Sequence, residues 1–184
     1  KICFISNKIN TKDITAPVLF TDLFLRTSLD IFPLEILEFK TRNVLIYGVD
    51  ILKDLKIEKP FIRIEIEQKL KSKLIEINNN YIRTKGNTTE LNYMYRKLWT
   101  SLIPVFKCIL FLLDTDFDSD QNKMIDIISE KININKVSIT NLFSIYKKQL
   151  KLDKDNKKII FQDIFILLNK LSDFIDKLDK EESI

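Results

Sequence analysis

Apolar positions along this chain change period partway through. From Ile31 to Phe39 they nearly alternate, with Leu34, Ile36 and Glu38 on one side and Glu35, Leu37 and Phe39 on the other. Alternation over so short a run predicts a β-strand, and Pro33 marks its start or an edge position. Val44-Leu-Ile-Tyr47 predicts a second strand, ended by Gly48. A shorter strand is predicted for Lys1-Ile-Cys-Phe-Ile5 and a polar loop from Ser6 to Thr15. Between these lies a short helix that Thr21 can cap ahead of Leu23, Phe24 and Leu25.

Beyond Gly48 the spacing becomes helical. Pro60 suits a first turn, and Phe61, Ile64, Ile66, Leu70, Leu74, Ile75 and Ile77 recur every three or four residues as far as Asn78-Asn-Asn80. Gly86-Asn87 interrupts. Thr88 or Thr89 can then cap a second long helix through Leu91, Tyr95, Leu98, Leu102, Val105, Ile109 and Leu112, bent at Pro104. Shorter helices are predicted near Asn122 to Ile132 and Ser138 to Leu150, and a last one near Ile160 to Leu178. The pattern therefore predicts an α+β, predominantly helical protein, with residues 1–58 forming a small β-containing lobe and residues 59–184 an antiparallel helical bundle.

Composition narrows the chemistry. The 184 residues include no histidine, which excludes Ser-His-Asp and Cys-His catalysis and the common zinc sites. Any chemistry must use carboxylates, lysines or a hard metal ion. The net charge of +4 is small and its signs are interleaved, so nucleic acid is not the expected partner. The longest apolar run, Ile103 to Leu113, contains Pro104 and Lys107 and reads as a core helix, so no membrane association is expected. Cys3 and Cys108 lie in apolar surroundings far apart in sequence, which predicts free buried thiols and a reducing, cytoplasmic setting.

Asp114-Thr-Asp-Phe-Asp-Ser-Asp120 has the alternating carboxylates of a calcium loop, but the register fails. Counted from Asp116, the turn glycine position is Gln121 and the bidentate glutamate position is Ile127. A solvated, helix-capping loop is the better reading. On the first long helix, Glu67 and Lys71 are four residues apart in the favourable order and Arg63 can also reach Glu67. The same face is a candidate interface between lobe and bundle.

The carboxylates Asp30, Glu35 and Glu38 occupy the β-like stretch. Leu29-Asp-Ile-Phe-Pro-Leu-Glu-Ile-Leu-Glu-Phe-Lys40, followed by Val44-Leu-Ile-Tyr-Gly48, resembles the later strands of a bacterial nucleotidyltransferase-like family. Arg63-Ile-Glu-Ile-Glu-Gln-Lys-Leu-Lys-Ser-Lys-Leu74, Asn80-Tyr-Ile82, Leu98 to Leu112 and Phe174-Ile-Asp-Lys-Leu178 resemble parts of its helical domain. The resemblance implies that Glu35, with Glu38 behind it, is the third carboxylate of a metal-dependent transferase site.

The family's Gly-Ser turn is missing, since Gly48 and Gly86 are the chain's two glycines. Its paired Asp-x-Asp has no match except in the loop from Asp114 to Asp120, past the helix that the family places after catalysis. Both are needed for Mg²⁺-assisted nucleotidyl transfer. The resemblance thus implies the C-terminal portion of such a protein, inactive as it stands, with Mg²⁺ and a nucleoside triphosphate bound only if a preceding half supplies the missing motifs. The alternative is a non-enzymatic helical module that binds a protein partner, or itself, through the bundle.

Overall fold

The computed structural model describes residues 18–116 and 120–181. The predicted strand at Lys1 to Ile5, the loop from Ser6 to Thr15, Cys3 and Asp118 lie outside the described residues. Among the described residues there are seven helices and no strand: α1 (Asp22–Thr27), α2 (Pro33–Arg42), α3 (Lys59–Arg83), α4 (Thr88–Leu112), α5 (Gln121–Lys131), α6 (Lys136–Tyr146) and α7 (Lys157–Glu181). The expected α+β class with a sheet lobe is therefore corrected to all-helical.

The frame consists of α3, α4 and α7, each of 25 residues and about 37 Å long at the helical rise. A tight turn over residues 84–87 reverses the chain between α3 and α4. Lys59 at the start of α3 donates to the carbonyl of Leu112 at the end of α4, 3.1 Å away, so the two run antiparallel. Tyr81 near the end of α3 stacks on Phe161 near the start of α7, with ring centroids 4.0 Å apart, so α7 is also antiparallel to α3. The turn is tied to α7 as well. Gly86 adopts φ +71°, and a Cβ there would meet the Lys157 Nζ at 3.0 Å. The same Nζ donates to the Gly86 carbonyl at 2.8 Å.

Each chain reversal has a local cause. Asn87, Asp120 and Asn135 accept from backbone N–H groups in the first turns of α4, α5 and α6, which would otherwise be left without partners. The α4 cap is thus Asn87, one residue ahead of the threonines expected from the pattern. Thr21 caps α1 as expected, accepting from the Phe24 N–H at 3.1 Å.

The main core collects the inward faces of all three long helices with α5 and α6. Trp99 on α4 is fully buried and packs on Phe143 of α6 at 4.9 Å between centroids.

The stretch from Pro33 is a helix because it has two inward faces, not one. Leu34 and Leu37 enter the main core, whereas Ile36 joins Leu25 and Leu55 in a separate small cluster. Two apolar stripes on a ten-residue helix leave an almost unbroken apolar run, which periodicity cannot tell from a strand. Pro33 at the first turn and the Glu38–Arg42 ion pair at 3.0 Å, four residues apart, both suit a helix.

The second expected strand is also corrected. Val44 to Tyr47 is not helical, pairs with no other segment among the described residues and lies open, with Ile46 and Tyr47 95% and 96% exposed. A strand requires a ladder partner, and high β-propensity mostly reflects packing against one. The segment is a loop, closed at its base where Asp50 accepts from both the Asn43 side chain and the Leu52 N–H.

Candidate functional site

Without a sheet, Glu35 does not stand at a strand rim. It occupies the first turn of α2, where a carboxylate favours the positive end of the helix. Phe32, which precedes the helix, supplies no side-chain cap. The cap comes from elsewhere in the chain: Glu65 on α3 accepts the Leu34 N–H at 2.9 Å. Lys69, one turn further along α3, sits between two carboxylates, 3.1 Å from Glu65 Oε1 and 3.1 Å from Glu35 Oε1. Three charged side chains from two helices thus hold α2 against the bundle.

The electrostatics follow from this geometry. Burial raises the Glu65 carboxyl above its ordinary pKa, and the nearby Glu35 charge adds to that. The bonds from Leu34 and Lys69 oppose the rise without cancelling it. Burial works against the Lys69 ammonium, but the two glutamates together outweigh it and hold its pKa above the ordinary lysine value. The second oxygen of Glu35 is buried and has no hydrogen-bond partner.

These groups line a cleft of about 600 Å³ between α2, α3 and α4. Leu34, Leu70, Leu102, Pro104 and Val105 form its apolar wall. Glu38 also lines it, but that carboxylate is paired with Arg42. Behind the wall, Lys107 on α4 is only 9% exposed, and burial followed by the Arg42 charge pushes its pKa down. A second cavity, of about 540 Å³, lies on the far side of α2 among Phe20, Leu25, Phe39 and Ile51.

Arg63, Glu67 and Lys71 form a ladder on another face of α3. Arg63 Nη1 lies 3.1 Å from Glu67 Oε2, Lys71 pairs with the other oxygen of Glu67, and Lys71 also lies 3.7 Å from Asp176 of α7. The ladder faces α7, whereas Glu65 and Lys69 meet the preceding segment. Sequence reasoning overlooked that contact because Glu65-to-Lys69 and Glu67-to-Lys71 have the same spacing and order. The available signal was Glu35 itself, a carboxylate with no cation at helical distance on its own element.

The acidic loop acts structurally where it is described. Asp114 lies 2.6 Å from Lys59, and Asp120 caps α5. Among the described residues, no group of three or more carboxylates or thiols is placed to hold a metal ion. None of the described helices is long and apolar enough to cross a membrane.

Fold and site together define an all-helical bundle carrying a docked N-terminal helical segment. No family model, curated protein or solved structure matches the chain. The description as nucleotidyltransferase-like is corrected by the fold, since the segments likened to transferase strands are a helix and an open loop.

Proposed function

We propose that this protein is a non-enzymatic helical module that binds a protein partner through the surface formed by residues 18–49. The observation that carries the reading is the distribution of exposed apolar side chains. Among the described residues, thirteen of the twenty exposed large hydrophobics fall between Val18 and Val49. Concentrations of this kind are uncommon on surfaces that meet only water. The bundle face considered earlier is a weaker candidate, since Ile64, Ile75 and Ile82 share one side of α3 but are separated by polar residues.

Val44 to Tyr47 supplies the recognition chemistry. Among the described residues it pairs with no other segment, and Val44, Ile46 and Tyr47 are β-branched or aromatic, as in segments that add a strand to a partner's sheet edge. The proposal includes a reducing, cytoplasmic setting, with Cys108 a buried thiol whose pKa burial pushes up to about 12 and which is correspondingly unreactive.

The test compares the native chain with an Ile46→Lys, Tyr47→Lys double variant. Both positions are open to solvent, so thermal stability should stay within about 0.5 kcal/mol of the parent. Proteins retained on the immobilised native chain are quantified by mass spectrometry, and the affinity of each purified candidate is measured for both forms. The expected result is a partner bound by the native chain and lost by the double variant. An identical set of proteins bound with equal affinity by both forms would end the proposal.

A further inference from the structure

Charges that are interleaved along the sequence are separated by the fold. Residues 83–97 and 147–158 hold ten Lys and Arg against three Asp and Glu, which makes these two stretches strongly positive and the rest of the chain slightly negative. Though distant in sequence, they meet at the end of the frame where α3 stops and α4 and α7 begin. Lys157 donates to the Gly86 carbonyl at 2.8 Å. Phe143 packs on Trp99 and carries the Lys147 Nζ at 5.4 Å from its ring centroid, within a turn of Lys97 on α4. The link between α6 and α7 has a defined shape. The Asn156 side chain donates to the Lys151 carbonyl at 3.1 Å, and Asp153 accepts from the Asp155 and Asn156 N–H groups at 2.8 Å each. That turn fixes the backbone from which Lys151, Lys154 and Lys158 extend, all three exposed.

On α3 the lysines are neutralised locally, Lys59 by Asp114, Lys69 by Glu65, Lys71 by Glu67 and Lys73 by Glu76. At the basic end Lys85, Lys148, Lys151, Lys154 and Lys158 have no carboxylate partner among the described residues. Unneutralised cations on one face attract a polyanion. They are spread along a turn and two helix ends, which suits an extended polyanion better than a compact one. An aromatic side chain narrows the class. Tyr93 is 62% exposed, with the Lys97 Nζ 4.6 Å from its ring centroid, and an exposed ring among cations is the combination that stacks a base while neutralising its phosphates. Ile82 and Ile159 are also exposed here, too few apolar side chains for a face that enters a bilayer. We infer that this end of the bundle binds single-stranded nucleic acid, its phosphates on the lysines of residues 147–158 and a base on Tyr93.

The inference is independent of the surface at residues 18–49. Binding of fluorescein-labelled oligo(U) and oligo(dT) to the full chain is followed by fluorescence anisotropy between about 50 and 200 mM salt. Saturable binding is expected, with the logarithm of Kd rising against the logarithm of salt concentration at a slope of about 3 or more, at about 0.7 for each phosphate contact. Joint substitution Lys151→Ala, Lys154→Ala, Lys158→Ala should lower that slope by about 2 and weaken binding about tenfold or more at low salt. Lys53→Ala, Lys56→Ala, Lys177→Ala makes the same change in net charge away from this end and should leave both nearly unaltered. Tyr93→Ala should weaken binding about fivefold or more, the range of a lost stacking contact, with the slope unchanged. All these positions are exposed, and helical circular dichroism checks that each variant folds. Tighter binding of oligo(U) assigns RNA and tighter binding of oligo(dT) assigns DNA. Absence of saturable binding, equal losses in the two triple variants, unchanged affinity in Tyr93→Ala, or tighter binding of polyglutamate or phosphatidylserine vesicles than of either oligonucleotide would overturn the inference.

Discussion

Residues 18–58 and the bundle from Lys59 onward solve the burial problem differently. In the bundle, three long helices and two short ones bury large side chains on all sides of Trp99, and the few exposed apolar residues are scattered. The preceding segment buries a small cluster of Leu25, Ile36 and Leu55 among the described residues, with Leu29, Ile51, Leu52 and Ile57 packed against it, and attaches to the bundle through Leu34, Leu37 and the Glu35–Lys69–Glu65 network. Much of its apolar surface remains in water. The comparison teaches that most of the burial and most of the exposed apolar surface reside in different parts of the molecule. The bundle supplies the large core, and the attached segment carries the surface proposed above to engage a partner.

The contrast can be tested by mutation, beginning with the largest expected effect. Trp99→Ala should destabilise the protein by about 3–5 kcal/mol, the usual result of truncating a large core aromatic. Circular dichroism during denaturant unfolding should show the loss throughout the helical signal, because Trp99 lies between α4 and α6. A loss below 1 kcal/mol would contradict a core centred on this residue.

Leu55→Ala should cost about 2–4 kcal/mol locally, since Leu55 is 1% exposed but belongs to the small cluster. Native-state hydrogen exchange should show faster opening of amides in α1 and α2 with α3 to α7 nearly unchanged. Equal acceleration throughout would show that the two regions open as one unit.

Glu65→Ala removes both the N-terminal cap of α2 and one partner of Lys69, and should cost about 1–2 kcal/mol, the typical value of a lost cap. Glu65→Gln should cost less and change the pH dependence. The native carboxyl has a raised pKa, so between that value and the ordinary 4.5 the folded state binds more protons than the unfolded chain. This group therefore favours folding increasingly as the pH falls through that window. Relative to Glu65→Gln, the parent should gain stability on acidification from neutrality toward pH 4.5, as read from urea midpoints at successive pH values. A parallel pair of curves would assign the raised pKa to no net effect on folding.

Legibility in the sequence differed between the two regions for the same reason that their cores differ. Pro60, the break at Gly86-Asn87 and the spacing from Leu91 to Leu112 located α3 and α4 to within a few residues, because α3 and the first half of α4 each present one dominant buried stripe, before α4 becomes buried all round from Val105 to Leu110. At Pro33–Arg42 the same reasoning failed, because Leu34 and Leu37 face one cluster and Ile36 another. Val44 to Tyr47 was misread for a different reason: its residues favour a strand, but among the described residues no other segment pairs with it. Glu35 was legible as an unusual carboxylate, though its partner was not.

Sequence alone determined the helical frame, the absence of histidine chemistry and the local i, i+4 ion pairs, because these depend on residue type and on spacing within one element. Tertiary structure decided that residues 33–42 are helical, that Glu65 caps them from another element and that Lys69 joins Glu35 across a separation of 34 residues. Those outcomes depend on which surfaces meet after the chain reverses. Hydrophobic burial is not directional, so local periodicity could not specify that α2 would dock where Glu35 meets Lys69 of α3.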